Sequence, residues 1–253
     1  MRAYELIKET FLRRRSIAVI HLIWLVLYGL FWWLFLPDPE EYGRFLLLWG
    51  GFLLPLALSA GILGDDIASG RICLLVTKPF WAGELYVYRL IGLSLQGAMQ
   101  FLLAALLVFV LHTVTRRSSV SGLGLWLFAS WLLFNTVAAL STSVSVVIRR
   151  VHNSLLLLVT FLTGATVAQI LISNLSNHPL GTVVAGFFRY PFPPFELLRH
   201  LAKGDYARES LSLGGWRIPT SIACVGHSLI LTVVYAGAGI LLLTRRQFSG
   251  PRD

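Results

Sequence analysis

The two adjacent aspartates Asp65 and Asp66 stand at the head of "GDDIASGRICLLVTKPFWAGE", Gly64 to Glu84, which is charged in an otherwise apolar neighbourhood. Two neighbouring carboxylates can chelate Mg²⁺ for phosphoryl chemistry. Such a site wants further carboxylates one helical turn on, and Ala68, Ser69 and Gly70 supply none. The six histidines, His21, His112, His152, His178, His200 and His227, show no HxxxH or HExxH spacing, so no metal site is expected. No serine sits in a GxSxG context. The three lysines, Lys8, Lys78 and Lys203, fit no GxxxxGK[ST] phosphate loop, so the chain has no means of binding ATP that way. Cys73 and Cys224 lie far apart and read as unpaired, small apolar residues. No catalytic site is expected, and no cofactor bound by this chain.

The elements that must carry these residues are membrane spans. Of 253 residues 13% are charged and 56% hydrophobic, against about 25% charged in a soluble domain. Asp, Glu, Lys and Arg are absent from 16–37, 45–64, 90–115, 118–148, 151–188 and 218–244. About 20 apolar residues cross a bilayer as helix. Six spans are therefore predicted, at about 17–36, 45–64, 88–112, 124–148, 153–174 and 219–244. Continuous apolar runs favour helices over a barrel of alternating strands. No cleavable signal is expected, because the first run is of full span length and ends in Leu36-Pro37-Asp38-Pro39.

Charge placement orients the chain. With the N-terminus inside, the inner segments hold Arg2, Lys8, Arg13, Arg14, Arg15, Arg71, Lys78, Arg89, Arg149, Arg150, Arg245, Arg246 and Arg252. The two short outer loops hold only Arg44, Arg116 and Arg117. Both termini are expected in the cytoplasm. The net charge of +9 reflects this topology rather than a nucleic-acid partner.

Residues 1–15 read as an amphipathic helix with Tyr4, Ile7, Phe11 and Leu12 on its apolar side, able to lie in the headgroup plane near anionic lipid. Pro55 is expected to kink span 2. Residues 175–217 form an outer segment, broken at Pro191, Pro193 and Pro194. It reads as a re-entrant half-helix followed by an interfacial helix packed on the outer mouth of the bundle.

No acid falls within a proposed span, which argues against a proton- or sodium-driven relay. The polar residues inside are neutral: Gln96 and Gln100 in span 3, Asn135 and Thr142 in span 4, Thr163, Thr166 and Gln169 in span 5. They read either as interhelical hydrogen-bonding groups or as the lining of a mildly polar pathway.

The stretch Asp65 to Gly92, with Asp66, Gly70, Leu74-Leu75, Lys78-Pro79, Arg89 and Gly92, resembles the loop after the second span of type-2 ABC transporter permeases. Two positions depart from the usual pattern: Arg71 follows the glycine in place of threonine, and Phe80-Trp81-Ala82 follows the lysine–proline pair. The resemblance implies a single permease domain over 1–253, an all-α membrane protein with six spans. Residues 1–15 would be an elbow helix, 65–86 a cytoplasmic coupling loop, and 175–217 the short re-entrant helices before span 6. It implies pairing with a second, identical or related permease and with two separate ABC ATPase subunits, which would hold ATP and Mg²⁺. Asp65, Asp66, Gly70, Arg71, Leu74, Leu75, Lys78 and Pro79 would meet the ATPase, with Arg149 and Arg150 as a lesser contact. The setting would be a prokaryotic plasma membrane, the inner membrane in a Gram-negative cell, and the cargo an exported lipid, glycan, drug or other amphiphile. Two other readings stay open: a non-transporting membrane anchor for a cytoplasmic partner, and a lipid-modifying enzyme built on Asp65 and Asp66.

Overall fold

The computed structural model describes residues 2–35, 39–71, 81–115, 122–148, 152–161, 163–164, 195–204, 210–213 and 216–245. Helix α1 spans Arg2–Arg13 and α2 Arg15–Phe35. A third run starts with α3 (Pro39–Phe45), continues through wider π-type turns over Leu46–Leu53, and ends in α4 (Leu54–Ser59) and α5 (Ile62–Ala68). Then follow α6 (Ala82–Thr115), α7 (Leu123–Ser145), α8 (His152–Phe161), α9 (Phe195–Lys203), β1 (Ser210–Leu213), β2 (Trp216–Pro219) and α10 (Thr220–Arg245).

Five of these runs are long and apolar enough to cross a membrane: Arg15–Phe35, Glu40–Ala68, Gly83–Leu111, Leu123–Ser145 and Thr220–Arg245. The chain is a predominantly helical, multi-pass membrane protein. Of the predicted span at 153–174, α8 covers the start, and 165–174 lie outside the described residues. Beside the helices stands a short hairpin. β1 and β2 pair antiparallel, Leu213 opposite Trp216. The sequence signal was present, since Gly214-Gly215 stands between them and a two-residue glycine loop is a strong hairpin former.

Span 2 is the hub. Of its apolar window 78% is buried, against 11% for α10. Pro55 has no amide hydrogen and cannot continue an i→i−4 ladder. Before it the ladder widens: the Leu54 amide donates to the Trp49 carbonyl, five residues back. A second break follows, where Ala60 is extended (ψ 120°) and Gly61 adopts φ 67°, a left-handed turn open to glycine. The chain re-enters helix at Ile62 and stays helical to Ala68. Asp65 and Asp66 therefore lie on a helix, and the connection to α6 narrows from the expected 65–86 to 69–81.

Close approach of backbones holds span 2 to α7. A Cβ on Gly64 would lie 2.8 Å from the Ser145 carbonyl oxygen. Between apolar surfaces bathed in lipid, such approach replaces the hydrophobic drive that water would supply. Hydroxyls add cross-links. The Tyr86 hydroxyl of α6 donates to the Ala139 carbonyl of α7 (2.9 Å) and lies 2.8 Å from Ser143 Oγ. Ser143 Oγ in turn donates to the Tyr235 carbonyl of α10 (2.5 Å).

Opposite the α1 end, α9 turns Leu198, Leu201 and Ala202 into a cluster with Phe52, Trp126 and Leu133. Lys203 Nζ meets Glu40 Oε1 at 2.6 Å, tying α9 to α3.

Candidate functional site

Asp65, Asp66 and Arg71 of the opening stretch converge at the α1 end. Asp66, on α5, is fully buried, and so is Arg89 on α6. Asp66 Oδ2 accepts from Arg89 Nη2 at 2.8 Å and Oδ1 from Arg13 Nη1 at 2.9 Å. Arg13 Nη1 also donates to the Ile62 carbonyl (3.1 Å). Arg89 Nη1 donates to Thr10 Oγ1 (2.9 Å), and Thr10 passes its own hydrogen to the Leu6 carbonyl (2.7 Å). One carboxylate thus binds two guanidinium groups, one from α1 and one from α6.

The neighbouring Arg14 solves a different problem. The break at Ala60 leaves the carbonyls at the end of α4 without amide partners. Arg14 Nη1 donates to the Ala57 carbonyl at 2.6 Å and Nη2 to the Ala60 carbonyl. A cation at a helix C-terminus also meets the negative end of the macrodipole. Asp65 Oδ2 lies 3.5 Å from the same guanidinium.

Further out, Arg71 makes a bidentate pair with Glu9, 2.9 and 3.0 Å, and Glu9 Oε2 also lies 3.5 Å from Arg89. This pair is partly solvated, with Arg71 45% and Glu9 30% exposed. Exposed pairs contribute about 0–1 kcal/mol. Arg71→Ala should therefore lower the unfolding midpoint only slightly, as read by thermal denaturation in detergent.

Helix α1 is the common element. Its buried residues are Leu6 and Thr10, Arg13 is partly buried and Arg14, just past its end, is buried, while Tyr4 and Leu12 are left 63% and 47% exposed. Of the side read as able to lie in the headgroup plane, Tyr4 and Leu12 take no part in seating the helix. The seat is on α6, where a Cβ at Gly92 would lie 2.6 Å from the Thr10 Cβ and 2.9 Å from the Ile7 carbonyl.

Of the residues singled out from sequence, Asp65, Asp66 and Arg71 come together in this cluster. Asp66 faces inward, onto Arg13 and Arg89. Gly70 lies just beyond α5 with φ 68°. Leu74, Leu75, Lys78, Pro79, Arg149, Arg150, Thr166 and Gln169 lie outside the described residues. Gln96 and Gln100 are buried on α6, and Gln100 Oε1 is 3.2 Å from His21 Nδ1 of α2. Asn135 donates to the Trp131 carbonyl of its own helix (2.8 Å), and Thr163 to the Val159 carbonyl (2.8 Å). Thr142 is fully buried.

Sequence reasoning missed Thr10 and the internal roles of Arg13, Arg14 and Arg89. A signal existed for Arg89: it stands in the apolar run Leu85-Tyr86-Val87-Tyr88-Arg89-Leu90-Ile91, and a charge so placed requires a partner. Among the described residues no group of three or more His, Cys, Asp or Glu is placed to hold a metal ion. What the cluster can do is mechanical: it ties α1, the end of span 2 and the start of α6 into one charged knot. Comparison with known proteins gives no match to any family model and no significant match to a curated protein.

Proposed function

We propose that this chain is the membrane-spanning permease subunit of an ATP-driven exporter of the type-2 ABC class. Separate ATPase subunits bind ATP and Mg²⁺ and seat against the connection between α5 and α6, and a second permease copy completes the complex. In this reading the α1 end is cytoplasmic, in the plasma membrane of a prokaryote. The fifth of six spans continues from α8, and the cargo is a lipid, glycan, drug or other amphiphile.

The observation that carries this reading is the buried Asp66–Arg89 pair. It clamps the two ends of the connecting segment, one just before Ser69 and one a few residues after Trp81. A push on a loose loop would be absorbed by the loop. A push on a segment whose two ends are bridged inside the bundle moves spans 2 and 3 together, and α1 with them through Arg13 and Thr10. Asp66 then transmits force instead of docking. The docking surface falls to Arg71, Leu74, Leu75, Lys78 and Pro79, an apolar centre with charged flanks of the kind that gives a contact both burial and register.

The test is affinity purification of the full-length chain from its native membranes in mild detergent. A P-loop ATPase is expected to co-purify with nucleotide hydrolysis. Leu74→Asp with Leu75→Asp should abolish both while the protein still inserts. Isolation of a chain that brings down no ATPase, or a double variant that binds and hydrolyses like the wild type, would end this reading.

A further inference from the structure

A second set of buried polar groups runs inward from the ion-pair cluster. Arg89, Gln96 and Gln100 are seven and four residues apart on α6, so they share a face within about 40° and extend about 16 Å along the helix. Helices α1 and α2 follow that face in constant register. Thr10 meets Arg89 and His21 meets Gln100, both across 79 residues, and Gly29 lies against Leu107 further out.

Along this seam three buried atoms have no hydrogen-bond partner among the described residues: Arg89 Nε, Gln96 Oε1 and His21 Nε2. Their side chains are 0%, 1% and 7% exposed. At His21, Gly50 of span 2 faces Nε2: a Cβ there would lie 3.6 Å from that nitrogen, and the Phe101 ring, 2.8 Å from the same position, walls the spot on its other side.

The three atoms differ in kind. Arg89 Nε–H only donates and Gln96 Oε1 only accepts; with Nδ1–H donating to Gln100 Oε1, Nε2 of the neutral His21 ring also accepts. A bare polar group among apolar helices is costly. The ligand that relieves all three must both donate and accept and must be small. A cation is repelled by Arg89, and an anion leaves Gln96 Oε1 without a donor and meets Asp66 and Glu9. Water meets every requirement.

We propose that the seam between α1–α2 and α6 holds internal water, bound at Arg89 Nε, Gln96 Oε1 and His21 Nε2. The water carries polar contact from the ion-pair cluster to the middle of the bundle. It lets His21, Gln96 and Gln100 exchange partners when the spans move, and it opens His21 to proton exchange with the α1 end. This site stands independently of any ATPase partner.

Pulsed radiolysis of the full-length chain in nanodiscs, in ¹⁸O-labelled water, tests it directly. Bound water generates hydroxyl radicals in place, so His21 should take up the label well above Leu25, a buried residue one turn further along α2. Gln96→Leu should reduce that labelling and leave the unfolding midpoint unchanged or lower, because it removes a water ligand. A dry seam gives the opposite result: His21 labels no more than Leu25, or Gln96→Leu raises the midpoint by deleting an unsatisfied polar group. Either outcome overturns the proposal. Should Gln96→Leu fail to insert, the wild-type comparison of His21 with Leu25 decides.

Discussion

Asp66→Ala should destabilise the bundle by about 3–5 kcal/mol, the loss expected when one partner of a buried ion pair is removed. The wild-type carboxylate meets two guanidinium groups at 2.8 and 2.9 Å. Without it Arg89, which has no exposed surface, keeps only Thr10 and the more distant Glu9 as partners among the described residues. Arg13 is better placed, since 22% of its side chain reaches the surface and the Ile62 carbonyl remains. The measurement is denaturant or thermal unfolding of the purified chain in detergent. The penalty arises from stranding a charge and not from losing a favourable contact. Asp66→Leu combined with Arg89→Met should therefore recover most of it, because replacing both members of a buried pair with apolar residues is often neutral. An Asp66→Ala variant as stable as the wild type would remove the knot from any account of this protein. Under the proposed function the same variant also uncouples: the connecting segment still meets its ATPase, but α5 and α6 no longer move as one.

Gly51→Ala should cost about 1–3 kcal/mol, and Gly51→Val more, by the ordinary penalty for overpacking a close contact. The added Cβ would fall 2.9 Å from the Ser130 carbonyl oxygen of α7 and 3.2 Å from Leu133 Cβ. A main-chain oxygen cannot swing aside as a side-chain tip can, so the helices must part. Gly226→Ala on α10 is the control. Nothing lies within 4 Å of the position its Cβ would take, so stability should hold or rise slightly. Parallel unfolding curves for the three variants check both halves. Equal behaviour at positions 51 and 226 would mean that span 2 and α7 are not in backbone contact.

The value of each residue was unequally legible. Helical character and the approximate limits of the spans follow from the charge-free windows, because length and apolarity are properties of a single segment. Pro55 announced a disturbance in span 2 for the same reason: its missing amide hydrogen is local. The form of that disturbance, π turns up to Leu53 and a left-handed Gly61, depends on what α7 leaves room for. The hairpin at 210–219 was readable from its glycine pair, yet an apolar, proline-broken context drew attention to helices instead.

The charges show the division most clearly. Arg13 and Arg14 were countable as topology signals, and so was Arg89. Nothing in their order says that Arg13 and Arg89 share Asp66 while Arg14 holds the open carbonyls of α4. A pair separated by 53 residues, such as Arg13 and Asp66, is made only when helices from different parts of the chain are brought side by side. Likewise the sequence showed α1 to be amphipathic, but only the approach of Gly92 to Thr10 and the Ile7 carbonyl decided which part of it packs on α6. The sequence alone determined a basic, multi-pass helical membrane protein with a charged connection after its second span, because composition acts residue by residue through solvation. Only the tertiary structure decided that Asp66 and Arg89, on either side of that connection, face inward as a knot. Ion pairing and close packing are properties of distances, and those distances exist only once the chain has folded.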